Sequence, residues 1–512
     1  MEKNPSEKKN MHWSELIAKD VIDKKDAPYT VMSGITTSGP LHPGTLCEFM
    51  FANAIYKSIQ KLGGEARFVF VADILDAFDN IPAPFMEYAT ELSPHLGKPL
   101  SDVPDPKGCH ASFADHFLAQ ATDAMKKFGV EPQIIRADVA YAGGEYDEYA
   151  TEFAKRKDEI KNIVQKSSRR ETMPEDWHPI MPICEKCGKV ATTRVLSYSD
   201  GEYEYACDQK TNYGAEGCGH KGSAKITDHM YKLLFRLDWP ARQDRENVSV
   251  EGGSVDHHTR GGTLSTVGAV HREFFRTEPP IFYKFGFLKY KGKKYSKSKG
   301  IGHSMEELME LLPIPVLEYA LLRPDIQEDK ELVLDEKTLL FLITDFEHAS
   351  ILDLEAELAR ADRKKAISYT FTEGRKWKAP MADLLLNYAI YKDWNRVGEL
   401  LDDQEGVKYI SKYVDEWILR GWIPDKYVFE LGNKGTPVRP ELVKKFANAL
   451  KEGMNAEDIQ VLIFETAQAE EVPPKELFRD LYTVLIGKEM GPRFGNFAVI
   501  IGIPKVKELL SE

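Results

Sequence analysis

Three groups of residues in this chain have the types and spacing to do chemistry. The first is SGITTSGPLHPGTL at 33–46, with three glycines, two prolines and one histidine in fourteen positions. Gly34, Gly39 and Gly44 let the backbone come close to a ligand. A helix starting near Pro43 or Gly44 would offer unpaired N–H groups and a partial positive charge to an anion. His42 stands just before that helix and can donate to a phosphate oxygen. Taken alone, the stretch reads equally as a phosphate site or as a tight turn with a capping histidine. It lacks both the Gly-x-Gly-x-x-Gly fingerprint and the glycine-lysine pattern of a P-loop. The second group is KGKKYSKSKG at 291–300, inside a segment from Lys284 to Lys299 that holds seven lysines and no acid. Lysines in such a run can gather negative charge; alone, such a run is a solvated surface loop.

The third group is cysteine. Four of the six cysteines cluster as Cys184-x2-Cys187, nineteen residues, Cys207, ten residues, Cys218. Four thiolates with a Cys-x2-Cys knuckle suit tetrahedral structural zinc, with no open position for water. His220 could replace Cys218 as fourth ligand. Cys47 and Cys109 read as ordinary packing residues.

These groups need elements to hold them. YTVMSGI (29–35) reads as a buried strand, and Leu46, Phe49, Ala52, Ile55, Ile59 and Leu62 mark one face of the helix that follows. ARFVFVAD (66–73) is a second strand, so the unit is βαβ with a parallel sheet. EPQIIRADVAY (131–141) reads as a third strand after a helical segment at 111–129. Residues 171–224 break the pattern and carry the cysteines; α/β character returns over 225–300, and the chain reads almost wholly helical from about 304.

The chain has 512 residues, 42% hydrophobic and 29% charged, with a formal net charge of −13. That is ample for about three domains. The acidity argues weakly against a general nucleic-acid binder but leaves room for a local basic face, as in KRKDEIKNIVQKSSRR at 155–170. No apolar run is long enough to span a bilayer, and the polar N-terminus lacks a signal-peptide core, so a cytoplasmic location is expected.

The two nucleotide-friendly stretches together resemble the paired signatures of class I aminoacyl-tRNA synthetases. His42-Pro43-Gly44-Thr45 is similar to their His-x-Gly-x element, with Thr45 in place of the usual histidine or asparagine. Lys294-Tyr295-Ser296-Lys297-Ser298 is similar to Lys-Met-Ser-Lys-Ser, differing only at the methionine. Ser254-Val255-Asp256 stands where a Gly-x-Asp element is common. Within that class the chain resembles the class I lysyl-tRNA synthetases. The likeness runs through GKPLSDVPDPKGCHASFADHF (97–117), YDEYATEFAKRKDEI (146–160), LDWPAR (237–242) and LYTVLIGKEMGPRFGNF (481–497). One departure is DAFDNIP (76–82), where the family usually has arginines.

The resemblance implies a Rossmann-type parallel-sheet catalytic domain with a zinc-binding insertion, then an all-helical anticodon-binding domain. The expected divisions are 1–170 and 225–303 for the two halves of the catalytic domain, 171–224 for the insertion, 304–345 for a linker to the tRNA stem, and 346–512 for the anticodon region. It implies ATP, Mg²⁺, structural Zn²⁺ and tRNA(Lys), with L-lysine joined through a lysyl-adenylate. His42, Gly44, Thr45 and Asp256 are expected at the ATP, with Lys294, Ser296, Lys297 and Ser298 closing on its phosphates. His42, Lys294 and Lys297 are the expected catalytic residues. The lysine pocket is expected to involve Gly34, Thr36, Trp239, His257 and Tyr283, with Asp73 meeting an amino group. A monomer is expected. The rival readings are a glutamyl or arginyl synthetase, or a synthetase-like protein that binds tRNA without charging it.

Overall fold

The segment YTVMSGI becomes strand β1 (Tyr29–Ile35), its first five residues buried. In the computed structural model, which describes residues 11–295 and 301–511, β1 lies at the centre of a five-stranded sheet. The others are β2 (Ala66–Ala72), β3 (Gln133–Arg136), β4 (Val248–Ser254) and β5 (Ile281–Phe285). The order is β5-β4-β1-β2-β3, and every pairing is parallel. The chain moves outward one way from β1 through β2 to β3, then returns on the other side as β4 and β5. The carboxyl ends of β1 and β4 therefore flank the topological switch point, where open α/β sheets leave a ligand crevice.

Helix α1 (Thr45–Lys61) connects β1 to β2 and buries Leu46, Phe49, Ala52, Ile55 and Ile59. Leu62, expected on the same face, lies just past the helix end and is 44% exposed. Helix α2 (Phe113–Lys127) precedes β3 and is capped by the Ser112 hydroxyl, which accepts from the Asp115 N–H. The expected third strand is shorter than its sequence suggested. β3 stops at Arg136 and Ala137–Ala142 is helical. Three alanines favour that helix, and the Arg136 guanidinium binds Asp115 at 2.5 Å and Asp138 at 2.9 Å, fixing its start. Helix α3 (Lys157–Ser168) follows, then the insertion. Helices α4 (Phe235–Arg245) and α5 (Thr263–Ala269) return the chain to the sheet. Met32, Val69, Val71, Trp239, Val248, Leu264 and Val267 pack together between these helices and the strands.

The insertion is a three-stranded antiparallel sheet of Arg194–Ser199, Glu202–Ala206 and Lys221–Lys225. Its two ends are tied by the antiparallel pair Ile180–Pro182 and Tyr231–Leu233.

The chain divides into two units. One comprises Met1–Met309, Leu317–Val333 and Asp353–Glu373; the other comprises Glu310–Val316, Leu334–Leu352 and Gly374–Glu512. The second is helical throughout its described residues, around a core that includes Phe446, Ile459, Ile463, Leu481, Phe494 and Val506. Among the described residues no helix is long and apolar enough to cross a membrane.

Gly34 sits opposite Val71 in the β1–β2 register. A Cβ there would lie 2.6 Å from the Val71 carbonyl oxygen, a backbone atom that cannot step aside. Gly34→Ala is expected to lower stability by about 1–3 kcal/mol in urea denaturation, the usual cost of overpacking.

Candidate active site

A cleft of about 550 Å³ opens at the carboxyl ends of the strands. Ser33 to Ile35 of β1, Val71 of β2, Glu251 to Ser254 of β4 and Phe285 of β5 all reach it. The loop Thr36 to His42 and the start of α1 form one side; Phe235, Trp239 and Arg242 of α4 form another. Gly34, Thr36, His42, Gly44, Thr45, Asp73, Trp239, His257 and Lys294 all line it. Asp256 is exposed beside it, and Tyr283 is buried on β5. Ser296, Lys297 and Ser298 lie outside the described residues.

His42 joins the two signature stretches. Its Nδ1 accepts from the Gly44 N–H at 2.9 Å. Its Nε2 lies 2.7 Å from the Tyr295 carbonyl oxygen, which can only accept. These partners fix a neutral imidazole with its proton on Nε2. Tyr295 is buried, and its hydroxyl donates to the Leu332 carbonyl at 2.9 Å. Lys294 pairs with Asp256 at 3.1 Å and lies 3.9 Å from the centre of the Phe287 ring. Both members of that ion pair are more than half exposed, so it contributes little to stability. On the cleft wall the Thr37 hydroxyl is buried with no hydrogen-bond partner.

Two carboxylates line the cleft without a cation. Glu251, on β4, accepts from the Trp239 indole N–H at 2.8 Å and from the Gln243 side-chain amide. Burial pushes its carboxyl up to about 7, against the pull of those two donors. Glu48, on the first turn of α1, is pushed up to about 8, by burial and then by the nearby charge of Glu251. No lysine, arginine or histidine among the described residues lies within ion-pair distance of either. Around them stand the Trp239 ring, the His257 ring in edge contact with it at 5.2 Å, and the buried Tyr283 ring against Gly252. Burial lowers the His257 imidazole, so it is neutral at pH 7.

Asp73 has a different environment. One oxygen accepts from Lys232 at 2.9 Å, the other from Arg242 at 2.8 Å. Burial opposes the charge, but those two cations hold the carboxyl down at about 2. Lys232 also pairs with Asp76, whose other oxygen accepts from the Thr36 hydroxyl at 3.1 Å. Arg242 also pairs with Asp238, which accepts from the Tyr141 hydroxyl. Both Asp73 oxygens are thus committed within the protein. This does not fit the expectation that Asp73 meets a substrate amino group.

The four clustered cysteines converge. Their sulfurs lie within 4.8 Å of one another, with Cys184 to Cys218 at 3.8 Å and Cys187 to Cys207 at 3.7 Å. That is the separation of about 3.8 Å expected for sulfurs at tetrahedral corners around zinc. Burial works against the Cys218 thiolate, yet the His220 N–H and neighbouring thiols hold the thiol down at about 7. The His220 ring turns to Glu185 at 2.7 Å. A second group was not anticipated. Asp105, Cys109, His110 and His116 bring their ligand atoms within 4.8 Å of one another. The Cys109 sulfur lies 3.1 Å from the Asp105 carboxylate, 3.1 Å from His110 Nδ1 and 3.3 Å from His116 Nδ1. Cys109 is exposed rather than packed in a core. The spacing Asp-x3-Cys-His-x5-His was the available signal, masked by its wide separation from the other cysteines.

A parallel sheet with a cleft at its switch point, a histidine at the start of the first crossover helix, and Lys294 on the cleft lining have the arrangement of a class I synthetase site. The match of the family of class I tRNA synthetases (K) covers residues 11–374, and the chain belongs to that family. Among its relatives is the lysine–tRNA ligase of Archaeoglobus fulgidus, 30% identical over 97% of this chain and 99% of that protein. The lysine–tRNA ligase of Methanocaldococcus jannaschii is 30% identical over 96% of this chain and 98% of that one. Lysine–tRNA ligase 1 of Methanosarcina acetivorans is 30% identical, with 95% of each chain covered.

Proposed function

We propose that this chain joins L-lysine to tRNA(Lys) through a lysyl-adenylate, releasing AMP and pyrophosphate. The observation that carries the choice of lysine is the pair Glu48 and Glu251, two carboxylates facing the cleft with no resident cation. The near-full-length likeness to lysine–tRNA ligases supports the same reading. The ε-ammonium of lysine supplies the missing charge, and the Trp239 and Tyr283 rings suit its aliphatic stem. Glu48 and Glu251 take the role first expected of Asp73, which instead holds Arg242 and so positions α4. Gly34, Thr36 and His257 complete the lysine pocket.

ATP is assigned to the other side of the cleft, at Gly44, Thr45, Asp256 and the buried Thr37 hydroxyl. The His42 Nε2–H, bonded to Tyr295 in this state, is the donor for a phosphate oxygen. Lys294, Ser296, Lys297 and Ser298 form the loop that follows the pyrophosphate charge. The lysine carboxylate attacks the α-phosphorus in line; no protein nucleophile is needed, because positioning and charge stabilisation lower the barrier. Mg²⁺ accompanies ATP and shields its phosphates. The 2′-hydroxyl of the terminal ribose of tRNA then takes the lysyl group. The insertion at 171–224 carries structural zinc on Cys184, Cys187, Cys207 and Cys218, while Asp105, Cys109, His110 and His116 form a second zinc site. The helical region at 346–512 reads the anticodon, the segment 304–345 contacts the tRNA stem, and the enzyme works as a cytoplasmic monomer.

Five outcomes test this. Exchange of pyrophosphate into ATP, measured with tRNA present, is expected with lysine; exchange with glutamate or arginine but not lysine would sink the assignment. Glu48→Gln is expected to raise the KM for lysine roughly ten- to hundredfold, the worth of a lost bond to a charged group. Asp73→Asn should instead reduce stability by about 1–3 kcal/mol, because Lys232 and Arg242 each lose one buried partner while keeping Asp76 and Asp238. Glu48 and Glu251 hold protons near neutrality in the free protein, so lysine binding should expel them. Lysine affinity should therefore rise as pH increases through 7 to 8. The carboxyls are raised above their unfolded values, so their stabilising contribution is complete in acid and fades through that same window. Metal analysis should find two equivalents of zinc, one absent from Cys207→Ser and the other from His116→Ala.

A further inference from the structure

The chain is acidic, with a formal net charge of −13. Beside the cleft, however, four arginines gather with no carboxylate partner. Arg169 and Arg170 follow the last residue of α3, and Arg169 adopts a left-handed conformation with φ 56°. Arg260 sits in the loop between β4 and α5, next to Gly261. Gly261 packs against this turn: a Cβ there would lie 3.0 Å from the Ser168 carbonyl and 3.5 Å from the Arg169 side chain. Arg236, in the first turn of α4, binds that loop from the other side. Its guanidinium donates to the Gly262 carbonyl at 3.1 Å and the Thr266 hydroxyl at 2.8 Å. Burial, and then the charge of Arg170, lower the Arg236 guanidinium from its usual value, so the two cations lie within electrostatic range of one another.

Like charges placed together repel one another, and an anion relieves that repulsion. None of the four makes an ion pair among the described residues. Arg169, Arg170 and Arg260 are exposed and make no side-chain hydrogen bond. The neighbouring residue Phe235 is 40% exposed, lines the cleft and lies 5.5 Å from the Trp239 ring. Guanidinium groups beside an open aromatic face are the combination that holds single-stranded nucleic acid: phosphates on the cations, a base on the ring.

We propose that Arg169, Arg170, Arg236 and Arg260, with Phe235, bind the single-stranded 3′ end of the tRNA and lead it into the cleft. This rests on the aminoacylation reading and names where the RNA enters. Arg236 also shapes the loop, so the test uses the exposed pair Arg170 and Arg260. Binding of a tRNA(Lys) transcript is measured across a range of KCl for the full-length protein and its Arg170→Glu and Arg260→Glu variants. Each reversal is expected to weaken binding about tenfold at low salt and to flatten the dependence of log affinity on log salt by about one unit. Arg170→Lys and Arg260→Lys should retain most of the affinity. A transcript lacking its last four nucleotides should bind the unaltered protein no better than the intact transcript binds the reversed variants, and reversal should cost it little more. Variants that bind the intact transcript normally, or that weaken equally on the truncated one, overturn the placement. Failure of the unaltered protein to bind or charge any transcript removes the aminoacylation reading, and the proposal with it.

Discussion

The buried charge network around Asp73 is the constraint on which the site depends. Asp73 ends β2, Lys232 lies in the strand Tyr231–Leu233 that leaves the insertion, and Arg242 belongs to α4. Ions removed from water must be paired, and removing one member leaves the others at heavy cost. Sheet, insertion and helix are therefore held in one register by charge rather than by apolar contact alone. Trp239 lies on the same helix as Arg242, about one turn away, and its indole donates to Glu251. Three carboxylates share two cations in this network. Burial, then the neighbouring Asp73, raise the Asp76 carboxyl, which lets the surplus charge be relieved by a proton.

This coupling gives the insertion a role that its own size would not suggest. A three-stranded antiparallel sheet of this length buries too little surface to be firm alone. Val195, Tyr203, Tyr205 and Ile226 of the insertion join the core that includes Tyr141, Ile160 and Leu233, and the pair Ile180–Pro182 with Tyr231–Leu233 closes its base. Lys232 is the last link. The insertion is in this way joined, through Lys232 and Asp73, to the wall of the cleft.

Much of this was legible in the sequence where local pattern and chemistry agreed. The largely apolar character of YTVMSGI, the helical spacing from Leu46 to Ile59 and the Cys-x2-Cys knuckle each point to one local structure. The strand expected over 131–141 was too long, because Ala137, Ala140 and Ala142 prefer helix once the chain passes the sheet edge. The carboxylates proposed to meet the ammonium were not legible. Asp73 was a reasonable choice by position, at the end of a strand at the cleft, but its neutralising cations come from 159 and 169 residues downstream. Glu48 gave no signal because one acid in the first turn of a helix is an ordinary capping choice. Asp105, Cys109, His110 and His116 were hidden for a related reason: a mixed donor set lacks the repeating look of paired cysteines.

Tyr295 stands where similar loops carry methionine, and its surroundings explain why the substitution is harmless to the neighbouring histidine. His42 grips the main-chain carbonyl of that residue, an atom every amino acid possesses. The side chain is therefore released from that duty, and here it has been recruited as an anchor, its ring buried and its hydroxyl fastened to Leu332. The bond to His42 is therefore indifferent to which residue stands here, while the buried ring and its hydroxyl hold residue 295 itself in place.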